Sequence, residues 1–133
     1  MDREESQPRQ ALELDGARIL LVEDEYYIAD DFRRVLSAAG ATVVGPASTV
    51  ESAERLVDED AFDCAVIDLN LHGQSALSVA DRLYERGKTF AIATGYGSGS
   101  IPERLMDVPR IEKPFDGPAL LQLVTQLCCA SVS

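Results

Sequence analysis

The run Ala65-Val66-Ile67-Asp68-Leu69-Asn70 decides the fold. Its apolar residues, two of them β-branched, end on a single carboxylate. A short run of this kind predicts a strand of a parallel sheet, which is covered on both faces. A charge in the middle of such a strand would need a partner or a metal. At the strand's C-terminal end the position is different, because open α/β sheets bind their ligands along that edge. Asp68 is therefore a candidate working carboxylate, and the flanking chain must be searched for groups that could join it.

Upstream, Ala17 to Val22 is a second short apolar run, and it leads into Glu23-Asp24-Glu25. Ile28, Phe32, Val35, Leu36 and Ala39 then repeat with helical spacing, and Gly40 ends the helix. Ala41 to Val44 predicts a strand stopped by Gly45-Pro46, and Ser48-x-x-Glu51 predicts a capping box for a helix carrying Val50, Ala53, Leu56 and Val57. Phe62 to Asp68 is the third strand. Downstream, Asn70 to Gly73 reads as a loop, followed by a helix to about Arg86 with Ala76, Val79, Ala80 and Leu83 inward. Thr89 to Ala93 is a fourth strand, running into the glycine-rich stretch 94–100. Ile101 to Asp107 has room for a short helix only. Val108 to Ile111 predicts a short edge strand, with Pro109 inside it. Asp116 is the expected N-cap of a last helix faced by Leu120, Leu123, Val124 and Leu127. Five strands alternating with five helices imply right-handed βαβ units, and so an α/β fold with one parallel sheet covered on both sides.

A chain of 133 residues suits one domain. Its net charge of -11 argues against nucleic-acid binding, which relies on Lys and Arg neutralising phosphates, and against docking on an anionic membrane. The three cysteines, Cys64, Cys128 and Cys129, have neither disulfide-framework nor zinc-site spacing, so reduced thiols and a cytoplasmic location are expected. No apolar run reaches bilayer length, and residues 1–15 are polar, as in a flexible arm.

In a parallel sheet all C-terminal strand ends share one edge. Glu23 and Asp24, Asp68, Thr94 and Lys113 can therefore converge there despite their distance in sequence. Carboxylates crowded together repel, and a hard divalent cation such as Mg²⁺ relieves that repulsion. A lysine and a hydroxyl beside them suit a phosphoryl group held between cation and ammonium. The simplest chemistry makes Asp68 a nucleophile that forms an aspartyl-phosphate.

Ile19-Leu20-Leu21-Val22-Glu23-Asp24-Glu25, Val66-Ile67-Asp68-Leu69-Asn70-Leu71, Ala93-Thr94-Gly95 and Glu112-Lys113-Pro114-Phe115 together resemble the receiver domain of two-component response regulators. The resemblance runs from about Gly16 to Cys129, so 16–130 is expected as the receiver domain and 1–15 as the arm. It implies a doubly wound, flavodoxin-like sheet in the order 2-1-3-4-5. It further implies that Asp68 accepts phosphate from a phosphohistidine, on a sensor histidine kinase or a histidine phosphotransfer protein. Mg²⁺ would be held by Asp24, by Asp68, by Glu23 through water and by the backbone carbonyl of Asn70. Thr94 and Lys113 would attend the phosphoryl group, and the Lys113-Pro114 bond is often cis in such proteins.

Two positions depart from the family pattern. Arg110 stands where an aromatic switch residue is usual, three before Lys113. Ile92-Ala93-Thr94-Gly95-Tyr96-Gly97 is similar to the Phe-Ala-Thr-Gly (FAT GUY) subgroup of single-domain regulators in α-proteobacteria, with Ile92 in place of Phe. Members of that subgroup also lack the usual aromatic, which makes Tyr96 the candidate substitute in the switch. His72, four residues after Asp68 where Pro is common, reads as an exposed loop residue rather than a phosphate donor or metal ligand.

Two other functions fit the same residues. A small phosphatase with an Asp nucleophile would want a second Asp two residues on, where this chain has Asn70. A scaffold indifferent to phosphorylation would not need Asp68, Thr94 and Lys113 together. A glycine-rich nucleotide loop is a poor reading, because the stretch follows the fourth strand, has no long helix after it and lacks Lys-Ser/Thr. With no output domain in the sequence, the expected mode of action is binding to a downstream protein regulator. The wide apolar face of the last helix permits a homodimer, although core burial accounts for most of it.

Overall fold

The central strand β3 (Cys64–Asp68) is buried along its whole length. The computed structural model describes residues 13–95 and 101–132. Around β3 lie β1 (Arg18–Val22), β2 (Thr42–Ala47), β4 (Thr89–Thr94) and β5 (Arg110–Glu112), in the order β2-β1-β3-β4-β5 with every pair parallel. Four α-helices connect and cover them: α1 (Tyr26–Ala38), α2 (Val50–Glu59), α3 (Leu77–Glu85) and α4 (Gly117–Val132). This is the doubly wound, flavodoxin-like order that the resemblance to receiver domains implies.

Side chains alternate across the strands and split the core into two layers. Ile19, Leu21, Cys64, Val66, Ala91 and Ala93 face one side, with Phe32 and Leu36 of α1 and Leu120, Val124 and Leu127 of α4. Leu20, Val22, Ala65, Ile67, Phe90 and Ile92 face the other, with residues of α2 and α3. Among the described residues no helix is long and apolar enough to cross a membrane.

Several local expectations shift. The polar segment does not stay clear of the fold up to Asp15. Residues 13–16 make a turn in which Leu14 is buried and donates its N–H to Ala39 O at 2.9 Å. Strand β2 continues through Gly45-Pro46 to Ala47 instead of stopping there. It lies at the sheet edge, where a residue without an N–H is tolerated, and the register with β1 shifts between Leu20 and Val22. The peptide bonds before Pro46 and Pro114 are both cis.

The α2 cap is Thr49, not Ser48. The Thr49 hydroxyl accepts from Ser52 N–H at 3.1 Å, and the Ser52 hydroxyl accepts from Thr49 N–H at 3.3 Å, so a reciprocal box forms one residue later. The expected helix over Ile101 to Asp107 is one 3₁₀ turn, Glu103–Leu105. Pro102 and Pro109 leave too short a segment between them for an α-helix, and Leu105 N–H reaches back to Pro102 O at 2.9 Å. At the other end of the last helix, Asp116 does cap α4, accepting from Ala119 N–H at 3.2 Å.

Candidate functional site

Each site residue is placed by a strand end. Asp68 is the last residue of β3, and Glu23 directly follows β1, its N–H held by Ala47 O of β2 at 2.9 Å. Thr94 closes β4, and Lys113 follows β5 with its N–H donating to Thr94 O at 2.6 Å. The parallel register sets Asp68 beside Ala93, and Thr94 beside Glu112. Four strand ends therefore deliver Glu23, Asp24, Asp68, Thr94 and Lys113 to the same edge.

Glu23 and Asp68 are the two charged or polar residues buried among the described residues, 2% and 7% exposed. Lys113 enters between them. Its Nζ is 2.7 Å from Asp68 Oδ2 and 3.4 Å from Glu23 Oε1. Burial alone would lower the Lys113 ammonium, but its hydrogen bond to Asp68 and the charge of Glu23 hold it above the usual lysine range. The other Asp68 oxygen, Oδ1, accepts from Asn70 N–H at 2.9 Å. Both carboxylate oxygens of Asp68 are thus oriented by donors.

Glu23 is the strained member. Burial, against the opposing pull of Glu25 N–H and Lys113, and aided by the Asp68 charge, pushes its carboxyl up to about 7. Glu25 N–H reaches Glu23 Oε2 at 3.1 Å. One ligand oxygen from each of Glu23, Asp24 and Asp68 lies within 4.8 Å of the other two. Three oxygens so close, one of them on a carboxyl resisting ionisation, match a hard divalent cation, which favours oxygen ligands and would supply the missing positive charge. The residues present therefore fit Mg²⁺.

The segment after β3 shapes the rim. Asn70–Leu71 and Gln74–Ser75 form a two-residue-per-strand hairpin where a loop was expected. His72 and Gly73 make its turn, with φ of 52° and 84°, the left-handed pair that tight hairpin turns require. His72 is exposed, as expected, yet it touches the site. Its N–H donates to Asp24 Oδ2 at 2.7 Å, and its Nδ1 is 3.2 Å from the same oxygen. The sequence signal for this contact was the His-Gly pair itself, since a turn there folds the backbone back towards the acidic pair.

Thr94 lines a hollow of about 250 Å³ beside Asp68, shared with Asn70, Leu77, Ile92 and Ile101. Arg110, at the place of the usual aromatic, has its guanidinium on Met106, 3.4 Å from Met106 O and 3.2 Å from Met106 Sδ. Tyr96 lies outside the described residues.

A family model of the response regulator receiver domain matches residues 19–125. The solution structure of SdrG from Sphingomonas melonis Fr1 is 33% identical, covering 88% of this chain and 97% of that one, with a TM-score of 0.73. The BeF3-activated conformation of SdrG, from Pseudomonas melonis Fr1, is 36% identical over 89% of this chain and 98% of that one, with a TM-score of 0.68. The sensor protein TorS of Escherichia coli (strain K12) is 27% identical over 96 residues, which is 72% of this chain. The match spans 10% of the length of TorS.

Proposed function

The chain belongs to the response regulator receiver domain family of two-component systems, and we propose that Asp68 is its phosphate acceptor. The observation that carries this reading is the Asp68 carboxylate, buried at a strand end and clasped by Lys113 Nζ at 2.7 Å and Asn70 N–H at 2.9 Å. In the transfer, a bond forms between an Asp68 oxygen and phosphorus while the phosphorus–nitrogen bond to a donor phosphohistidine breaks. The donor imidazole leaves with the bonding electron pair. The donor sits on a sensor histidine kinase or a histidine phosphotransfer protein.

Lys113 balances Asp68 before transfer and is within reach of a phosphoryl oxygen afterwards. The hydroxyl of Thr94, which lines the hollow beside Asp68, is the second donor for that group. Glu23, Asp24 and Asp68, with the Asn70 backbone carbonyl, would hold Mg²⁺, Glu23 acting through water. Bound there, Mg²⁺ supplies positive charge against the phosphoryl oxygens. The output is a change in binding to a downstream protein regulator in the cytoplasm.

Incubation with acetyl phosphate and Mg²⁺ tests the reading. A stable, alkali-labile phosphoprotein that is lost in Asp68→Asn supports it. Continuous turnover of small phosphates would instead support a phosphatase, and no label at all would support a scaffold.

A further inference from the structure

We propose that Cys64 and Cys128 form an oxidisable dithiol, closed to an intramolecular disulfide by a hydroperoxide and reopened by a thiol reductant. The two sulfurs lie 3.3 Å apart although one residue sits on β3 and the other on α4. A disulfide bond is about 2.05 Å long, so closure brings the sulfurs only about 1.2 Å nearer. Spacing in the sequence gives no hint of this pair, because the fold alone seats α4 against β3.

The two thiols differ in ways that assign their roles. Cys64 is fully buried in the core layer under α1 and α4. Cys128 is half-buried and lines a surface hollow of about 360 Å³ with Asp63, Thr125 and Cys129. A hydroperoxide can therefore reach Cys128 and not Cys64. The Cys64 S–H, hydrogen-bonded to Cys128 and desolvated, holds its proton more tightly than an ordinary thiol. The same hydrogen bond lowers Cys128 below the usual range, so the reachable sulfur is also the better thiolate.

The steps balance with hydrogen peroxide as oxidant. Cys128 sulfur attacks one peroxide oxygen, the O–O bond breaks, and one water leaves as the sulfenic acid forms. Cys64 sulfur then attacks the sulfenic sulfur, its S–H proton goes to the departing hydroxyl, and a second water leaves. Two thiols are oxidised by two electrons, and one peroxide is reduced to two waters. Cys129 is the competing thiol, since it is exposed and adjacent. Neighbouring residues on a helix do not face each other, so Cys129 is poorly placed to resolve a sulfenic acid on Cys128. The resulting bond would tie α4 to the strand that carries Asp68.

The test treats the full chain with hydrogen peroxide, blocks remaining thiols and maps cross-linked peptides without reduction. The Cys129→Ser protein is run beside it to settle which of the adjacent cysteines is joined. The expected product is a monomer with Cys64 bonded to Cys128 in both proteins, reopened by dithiothreitol. Its melting temperature rises by roughly 10 °C, the effect of closing a long loop. Cys128→Ser, a change at a half-buried position, should abolish the cross-link and the thermal shift while the protein stays folded by circular dichroism. The proposal is overturned by a Cys128–Cys129 bond, by a Cys129-linked dimer as the product, by a sulfinic acid on Cys128 with Cys64 still reduced, or by recovery of both thiols unchanged.

Discussion

Glu23→Gln should make the metal-free protein more stable while weakening its hold on Mg²⁺. Glu23 is 2% exposed, and its carboxyl is pushed from an ordinary 4.5 up to about 7, chiefly by burial. Because the folded-state value is raised, the folded protein binds this proton more tightly than the unfolded chain. Stability from this group is therefore greatest at and below pH 4.5 and declines as pH rises to about 7. Above pH 7 the full penalty applies, and a displacement of this size corresponds to about 3 kcal/mol. Glutamine carries no charge at any of these pH values, and its amide oxygen can still accept the 3.1 Å hydrogen bond from Glu25 N–H. Urea unfolding in EDTA should show the variant more stable at pH 8, by up to about 3 kcal/mol, with the gap closing as the pH falls towards 4.5. Excess Mg²⁺ should raise the native protein's stability more than the variant's, by mass action on its tighter site. A variant that is less stable at pH 8 without metal, or a gap that does not change with pH, would refute the claim that Glu23 is held against its ionisation.

Lys113→Met removes the 2.7 Å partner of Asp68 and leaves two buried carboxyls facing each other; a loss of about 3 kcal/mol at pH 8 is expected in urea unfolding. Thr49→Ala breaks the reciprocal cap with Ser52 and should cost about 1 kcal/mol in the same assay, with phosphate uptake from acetyl phosphate unchanged. Gly45→Ala is expected to be worse than its size suggests, by about 2 kcal/mol or more, because φ is 102° there and the added Cβ would lie 2.8 Å from Ala47 N and 2.9 Å from Leu21 O.

The strand ends were the legible part of the site. Their apolar runs mark the sheet, and one topological rule sends Glu23, Asp24, Asp68, Thr94 and Lys113 to one edge. Harder to read were features set by tertiary neighbours. Pro46 looked like a stop, but β2 lies at an edge and needs no N–H there. Leu14 looked like part of the polar arm, and only its packing against the α1 side of the sheet buries it. Ser48 and Thr49 are equivalent caps on paper. The helix starts at Val50, with Thr49 and Ser52 in the reciprocal bond. The short segment before β5 has room for a helix only between Pro102 and Pro109, and that length holds one 3₁₀ turn. The Cys64–Cys128 contact follows from the seating of α4, which no local pattern encodes. The exposure of His72 follows from its place in a polar loop, while its reach to Asp24 depends on a turn geometry that its neighbour Gly73 only hints at.

We propose that the phosphoryl group is carried by Asp68 and by no other residue. Borohydride reduction of the protein after phosphorylation converts an aspartyl-phosphate to homoserine, and peptide sequencing by mass spectrometry locates it. Homoserine at position 68, absent without Mg²⁺ and absent in Asp68→Asn, is the predicted result. Phosphate recovered on His72 or homoserine at Asp24 would contradict it.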